Sequence, residues 1–295
     1  MERGTYMPRD AFSKCHPLVN FLFFAGAIGF GVVIQHPAYI GCSILAAMLY
    51  LILLKGRKGL TFSLAMLPLF VVITVINPLF NHDGKQVLFT VFGNPYTLEA
   101  LYYGMAVAGI FLVMMLWFAC YNEILTSDKF VCLFGKLIPS LSMVLVMVLR
   151  LIPNLIRKAS QLRAARNSIG RGAGEQSTTR EKLIDGMRIL SGLTDWALEG
   201  SIITADSMRS RGYGSTRRSN FHLYRFGTQD FTVLALMAAL VILTLCTGDF
   251  TATYTPELFI AEPGFGLVIY TLYLLIPTIL HSKEALKWHI SISGI

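Results

Sequence analysis

Charged residues are scarce in this chain of 295 residues: Asp, Glu, Lys and Arg make up 14% of it, against 54% hydrophobic residues. A soluble domain carries about 25% charged residues. The scarcity argues against an ordinary soluble enzyme, and the high hydrophobic content excludes a disordered chain. The mean hydropathy of +0.59 indicates that lipid is part of the solvent of this protein.

Several signatures of catalysis are also missing. The sequence has no GxxxxGK[ST] loop, no HExxH motif and no CxxC pair. We therefore expect no ATP-binding P-loop, no zinc site and no resident cofactor in this chain. The five cysteines are odd in number and predict no disulfide framework. The six histidines fall at loops or helix ends, where solvated surface is the expected setting, and the polar N-terminus predicts no cleaved signal peptide.

Six stretches are apolar enough to cross a bilayer, which needs about 20 residues per helix. They are residues 18–34, 38–54, 60–80, 98–121, 229–247 and 264–281. Three residues separate the first two, so we expect a tight hairpin there. Thr97 is placed to cap the fourth helix, with Glu99 in its first turn. Ionisable residues are almost missing inside the stretches, which weighs against a proton-coupled or ion-coupled pump.

The positive charges lie on one side of this topology. With six spans, 24 of the 25 Lys and Arg residues fall on the side that holds both termini, and Lys85 alone lies opposite. This bias predicts that both termini are cytoplasmic in a multi-pass protein of the cell membrane. It also accounts for the formal net charge of +8 without a nucleic-acid partner.

The central segment 122–226 differs from the rest, because it carries 16 Lys and Arg and eight Asp and Glu residues. We predict an all-α membrane protein with three parts: a four-span domain (1–121), a cytoplasmic domain of long helices (122–226) and a two-span hairpin (227–295). The apolar run 137–153 contains Arg150 and is interpreted as a helix packed on protein or at the interface. Packing beneath the membrane domain is one interpretation of its methionines, Met143 and Met147.

Two basic helix ends are predicted inside the central segment. Gly170 and Gly212 are suited to the position after a helix, where a positive φ is favoured. Arg beside such a glycine complements the helix dipole and presents a planar fork to carboxylates. Arg209 and Arg211 are two residues apart and cannot share one face. The alternative is an ordinary capped helix whose arginines snorkel at the bilayer surface.

The central segment resembles a known family. The stretch from Arg150 to Pro153, the helix end at Gly170 and the run Ser207-Met-Arg-Ser-Arg-Gly-Tyr-Gly214 are similar to the transmembrane T component of energy-coupling-factor (ECF) transporters, the CbiQ family. The likeness covers roughly residues 20–280 in layout, and its specific motifs lie in 147–230. In that family two x-Arg-Gly motifs end two cytoplasmic coupling helices, and each Arg docks in a groove of one ATPase subunit.

Carried over to this sequence, the resemblance implies that Ser210, Arg211 and Gly212 form the second motif. The first motif falls at Ser168-Ile169-Gly170, where Ile169 stands in place of Arg. Arg166 and Arg171 flank that position. Either of them is a candidate to supply the missing contact, and a more apolar contact is the third option.

The resemblance implies a non-catalytic scaffold that couples two ABC-type ATPases, which bind the ATP, to a small membrane S component that binds a vitamin or a transition-metal ion. Met143 and Met147 are candidates to contact that S component, because methionine adapts to varied partners. Two other classes remain open: a permease subunit of a binding-protein-dependent ABC importer, and a membrane enzyme acting on lipid headgroups. The second needs clustered carboxylates or histidines, and the central acids show no such pattern.

Overall fold

The computed structural model describes residues 11–81, 84, 86–91, 94–134, 139–170, 172, 178–215, 226–254 and 259–293. The described residues divide into two compact units. Unit 1 belongs to Met1–Phe130 and Tyr224–Ile295, so the chain enters it twice, and unit 2 belongs to Val131–Leu223. The boundaries of the three predicted parts, at residues 121 and 226, stay a prediction.

Helices dominate the described residues. They are α1 (Ala11–Lys14), α2 (Pro17–Val33), α3 (Pro37–Lys55), α4 (Arg57–Ala65), α5 (Leu67–Phe80), α6 (Leu98–Ile124), α7 (Ser127–Phe134), α8 (Pro139–Ser168), α9 (Thr179–Ser210), α10 (Thr228–Thr247) and α11 (Phe265–Ser293). Two short hairpins, which the sequence interpretation did not include, join helices of unit 1: β1 (Val87–Val91) with β2 (Asn94–Thr97), and β3 (Ala252–Thr253) with β4 (Phe259–Ile260).

Five helical stretches in the described residues are long and apolar enough to cross a membrane. They are Pro37–Lys55, Arg57–Phe80, Leu98–Ile124, Thr228–Thr247 and Phe265–Glu284. The remaining predicted stretch, residues 18–34, forms α2, which is apolar but has only 17 residues. At 1.5 Å per residue it is about 26 Å long, just short of the hydrocarbon core. The pattern is that of an α-helical multi-pass membrane protein, and the sixth span stays a prediction.

Histidine and proline begin the first two apolar helices. Pro17 and Pro37 occupy the first turns, and the Nδ1 atoms of His16 and His36 accept the amides of Leu18 and Ala38, each at 3.2 Å. His36 is 1% exposed. The prediction that His36 lies on the solvated surface is therefore wrong, because His36 is the buried N-cap of α3.

The ring nitrogens of His36 have fixed roles. Because Nδ1 accepts an amide proton, Nε2 carries the hydrogen and donates to the carbonyl oxygen of Ala261 at 2.8 Å. Nearby, the hydroxyl of Tyr254 donates to the carbonyl of Gln35 at 2.6 Å. Burial raises the pKa of Tyr254 above its usual range, which keeps this donor protonated. The two bonds attach the β3–β4 region to the turn between α2 and α3.

The start of α6 follows the prediction. Thr97 is its N-cap and accepts the amide of Ala100, and Glu99 lies in the first turn. Antiparallel pairing of β1 and β2 brings Gln86 beside this turn, where its amide lies 3.2 Å from each oxygen of Glu99. The hairpin is thereby joined to the helix N-terminus.

Aromatic side chains fill the core of unit 1. The ring of Phe23 on α2 lies 5.5 Å from that of Trp117 on α6 and 5.3 Å from that of Tyr273 on α11. The buried polar atoms of these residues are satisfied: Trp117 Nε1 donates to Ser43 Oγ at 3.0 Å, and the Tyr273 hydroxyl donates to the Phe23 carbonyl at 3.0 Å. Such partners make large aromatic rings stable in a dry core.

Close backbone approach joins α5 to α6. A Cβ on Gly104 would lie 2.9 Å from both the Thr74 carbonyl oxygen and the Asn77 Cβ. Pro78 lies inside α5 rather than at its end, since the helix continues to Phe80. It removes the amide that would otherwise bond the Thr74 carbonyl. The helix therefore ends two residues after Pro78, at Phe80.

Unit 2 is built on two long helices. The apolar run 137–153 is not a separate helix: from Pro139 onward it is the first half of α8, which continues through Pro153 to Ser168. Helix α9 has 32 residues and begins with a capping box, in which the Thr178 hydroxyl accepts the Glu181 amide and the Glu181 carboxylate accepts the Thr178 amide. This box defines the start of α9.

Replacing Gly104 tests the contact between α5 and α6. We expect Gly104→Ala to destabilise the protein by about 1–3 kcal/mol, because the added methyl group meets backbone atoms of α5 that cannot rotate away. Gly41→Ala is the matched control, since nothing lies within 4 Å of its added Cβ. The measurement is the thermal unfolding midpoint in detergent. Equal midpoints for the two variants would contradict the packing described here.

Candidate functional site

Helices α8 and α9 form an antiparallel hairpin within unit 2. Three contacts follow each other along it. Arg166 pairs with Asp185, and Leu162 packs against Gly192, where its Cδ1 would lie 3.6 Å from a Cβ added to the glycine. Lys158 Nζ lies 5.9 Å from the centre of the Trp196 ring. As the numbers fall along α8 they rise along α9. The C-terminal ends of the two helices therefore lie at opposite ends of the hairpin.

An ion pair stabilises the hairpin near its turn. The Nε and NH2 atoms of Arg166 lie 2.6 and 2.5 Å from Oδ1 of Asp185. The side chain of Arg166 is 20% exposed and that of Asp185 is 11% exposed. At this burial a charge-assisted pair is much less screened than a surface pair. Arg166 is thus engaged within unit 2, although the sequence offered it as a docking residue.

The end of α9 has a defined local geometry. Ser210 Oγ donates to the Asp206 carbonyl at 2.5 Å, the Arg211 amide donates to the Ser207 carbonyl at 3.2 Å, and the Gly212 amide donates to the Arg209 carbonyl at 3.0 Å. Gly212 has a φ of 78°, which a residue with a side chain rarely adopts. The chain turns away from the helix axis directly after Arg211, whose side chain is exposed.

The end of α8 repeats these three hydrogen bonds. Ser168 Oγ donates to the Ala164 carbonyl at 3.0 Å, the Ile169 amide donates to the Ala165 carbonyl at 3.3 Å, and the Gly170 amide donates to the Asn167 carbonyl at 3.0 Å. Gly170 has a φ of 69°. The positive φ predicted for both glycines is present. The two ends differ in the residue they present: Arg211 on α9 and Ile169, 67% exposed, on α8.

The other predicted site residues are distributed around these two ends. Arg209 lies in the last turn of α9 and is exposed. Arg171 lies outside the described residues. Met143 and Met147 lie on the first half of α8 and are half-buried. Their contact with a partner stays a prediction.

Helix α9 carries apolar residues on the face away from α8 as well. Asp185 and Ile189 are buried against α8, whereas a second row of large apolar side chains on α9 is exposed: Leu183, Met187, Leu190, Leu198 and Ile202. These residues recur at helical spacing over about five turns. A row of this length on a helix that already has one packed face is typical of a surface that contacts another protein or lipid.

The sequence analysis missed a buried lysine, Lys129, near the end of the first segment of unit 1, Met1–Phe130. Lys129 is 4% exposed, and its Nζ donates to Ser13 Oγ at 2.8 Å and to the Ile124 carbonyl at 3.0 Å. The second bond satisfies a carbonyl in the last turn of α6, where a positive charge is favoured by the helix dipole. Lys129 lies two residues before the chain enters unit 2.

A buried aspartate has the matching role where the chain returns to unit 1. Asp230 is 8% exposed; its Oδ1 accepts the His16 amide at 2.8 Å and its Oδ2 accepts the Gly227 amide at 2.9 Å. One carboxylate therefore serves the N-termini of α2 and α10 together. The segment 13–16 is thereby bonded to two buried charged residues of unit 1, Lys129 and Asp230.

No known protein-family model matches the chain, and a search of curated proteins found no match either. Among the described residues, no group of three or more His, Cys, Asp or Glu is arranged to hold a metal ion. The function is therefore inferred from the two helix ends, the membrane pattern and the charge distribution.

The pairing of Arg166 with Asp185 leads to a stability prediction. We expect Arg166→Ala and Asp185→Ala each to destabilise the protein by about 2 kcal/mol, since each removes an ion-pair partner from a charge that is largely covered. The double variant should lose less than the two single losses together. Arg163→Ala, an exposed arginine of the same helix, is the control. Thermal unfolding of the four variants measures the coupling, and additive losses would show that the pair contributes nothing.

Proposed function

We propose that this chain is the transmembrane coupling subunit of an ATP-driven importer of the energy-coupling-factor type. It is a non-catalytic scaffold that transmits closure of two ABC-type ATPase subunits to a small membrane S component carrying a vitamin or a transition-metal ion. The observation that supports this most is the pair of matched helix ends, each of which presents one exposed side chain at an end of the α8–α9 hairpin.

The α9 end is suited to contact an acidic groove. Arg211 is exposed, follows the last helical residue and is oriented by the turn at Gly212. A guanidinium presents several N–H groups in one plane and binds carboxylates in a bidentate way. A stiff helix of 32 residues behind it would transmit a displacement rather than absorb it. These features fit a lever that is moved by a partner.

The exposed apolar row of α9 fits the second partner. It offers a long contact surface to a hydrophobic membrane protein, which an S component is. Met143 and Met147 on α8 are separate candidates to contact the S component. The substrate itself would bind to the S component, so no substrate site is assigned to this chain.

The orientation in the cell membrane is part of the proposal. With α2 as a sixth span, both termini and unit 2 lie in the cytoplasm, where partner ATPases have access to ATP. Support comes from the charge bias at the helix junctions, such as Lys55 at the end of α3 and Arg57 and Lys58 at the start of α4. With five spans, the termini would lie on opposite sides.

Replacing Arg211 tests the docking of an ATPase. We expect Arg211→Ala to reduce co-purification of ATPase subunits and coupled uptake by at least about tenfold, because loss of a desolvated Arg contact costs roughly 2–5 kcal/mol. Arg180→Ala is the control: an exposed arginine at the other end of the same helix. Wild-type levels of capture and uptake by the Arg211 variant would count against the mechanism.

Fusion reporters test the topology. Fluorescent-protein fusions at residue 1 and at residue 295 should both fluoresce in a bacterial host, and alkaline-phosphatase fusions at the same positions should both be inactive, because both termini are expected inside. A fusion after residue 85 is the control and should behave oppositely. An external N-terminus would show that α2 does not span the membrane, and the six-span proposal would fail.

A further inference from the structure

We propose that residues 12–16, here called the strap, latch the N-terminal end of α10 to the rest of unit 1. The latch is the hydrogen bond from the His16 amide to Asp230 Oδ1, at 2.8 Å. At its other end, α10 is held by close backbone packing against the start of α11, which acts as a pivot. In this arrangement α10 opens at its N-terminal end when the strap releases Asp230.

Helix α10 has few buried residues of its own. Three of its 20 residues are buried, namely Asp230, Met237 and Thr244, whereas α6 in the same unit has 12 buried residues out of 27. Met237 belongs to the hydrophobic core, and the Thr244 hydroxyl donates to the Leu240 carbonyl within the helix at 2.7 Å. Asp230 bonds to the strap. A helix with so little burial depends strongly on the contacts at its ends.

The pivot lies at the C-terminal end of α10. A Cβ added to Gly266, the second residue of α11, would lie 2.5 Å from Gly248 Cα and 3.0 Å from the Thr247 carbonyl oxygen. Gly248 is the C-cap of α10, and its amide donates to the Thr244 carbonyl at 2.9 Å. Glycines that allow such close backbone approach are typical of contacts between membrane helices. The two helix ends are therefore packed backbone to backbone.

The strap itself is anchored in the core. Phe12 is fully buried, and its ring lies 5.3 Å from that of Phe23 and 6.2 Å from that of Phe24, both edge-on. The Nζ of Lys129 donates to the carbonyl and to the hydroxyl of Ser13, at 2.5 and 2.8 Å. These contacts involve no residue of α10. The strap therefore has a fixed attachment that is independent of Asp230.

The contact at Asp230 can be released without unfolding α10. Its second oxygen, Oδ2, accepts the Gly227 amide at 2.9 Å and so caps the helix from within. Loss of the His16 amide exchanges one hydrogen bond for a bond to water once the end is open, and the net cost of such an exchange is modest. The carboxylate keeps its place at the helix N-terminus in both states.

Hydrogen–deuterium exchange of the full chain in detergent tests the latch. Asp230→Ala also removes the cap of α10, so the decisive variant is Lys129→Met, which leaves α10 unchanged. We expect it to loosen the strap and to raise exchange of amides 231–236 at least about fivefold, the equivalent of roughly one hydrogen bond. Amides 242–247 at the pivot and 112–117 in α6 should keep their wild-type rates. Gln229→Ala, at an exposed residue of the same turn of α10, is the control.

The double variant identifies the route of the effect. Once Asp230→Ala has removed the latch, adding Lys129→Met should change exchange of amides 231–236 little, because both residues act through the same strap. Additive increases would overturn the proposal. So would wild-type exchange at 231–236 in Lys129→Met, or an equal rise in α6 and α10, which would show that Lys129 stabilises the whole of unit 1 and does not act through the strap.

Discussion

The ion pair between Arg166 and Asp185 is the contact on which the candidate site depends. It joins α8 to α9 near their turn, at 2.5–2.6 Å, with most of both side chains covered. Among the described residues, it engages the arginine closest to the α8 tip. The same register brings Leu162 against Gly192 and Lys158 over Trp196.

Both tips also depend on a local rule of helix termination. A glycine with positive φ stops the helix, and its amide satisfies a carbonyl that the last turn would otherwise leave unpaired. The serine two residues earlier bonds back to the preceding turn. The residue between them lies at the tip and is exposed at both ends, as Ile169 and Arg211.

Hydropathy and turn residues were sufficient to locate the apolar helices, because each long apolar run has one stable form in lipid, and the positive φ of Gly170 and Gly212 followed from their place after a helix. The polar contacts between distant segments were not visible in the same way. His36 looks like a loop residue until Ala261 is seen beside it, and Asp230 looks like an isolated helix-end acid until His16 approaches it. Arg166 carries no sign in the sequence that Asp185 will occupy it. Such pairs are decided by tertiary packing, which a local pattern does not contain.

The segment 13–16 contacts two buried charged residues of unit 1. It is bonded to Lys129, just before the chain leaves unit 1, and to Asp230, just after the chain returns. Both contacts are buried and both satisfy helix termini, which makes them costly to break. The lever proposed here has to be stiff within unit 2 and must also begin and end at points that do not yield. The capping box and the ion pair stabilise the hairpin of unit 2, and the two buried charges satisfy helix termini within unit 1. A substitution at either junction should therefore affect coupling through position rather than through loss of a docking contact.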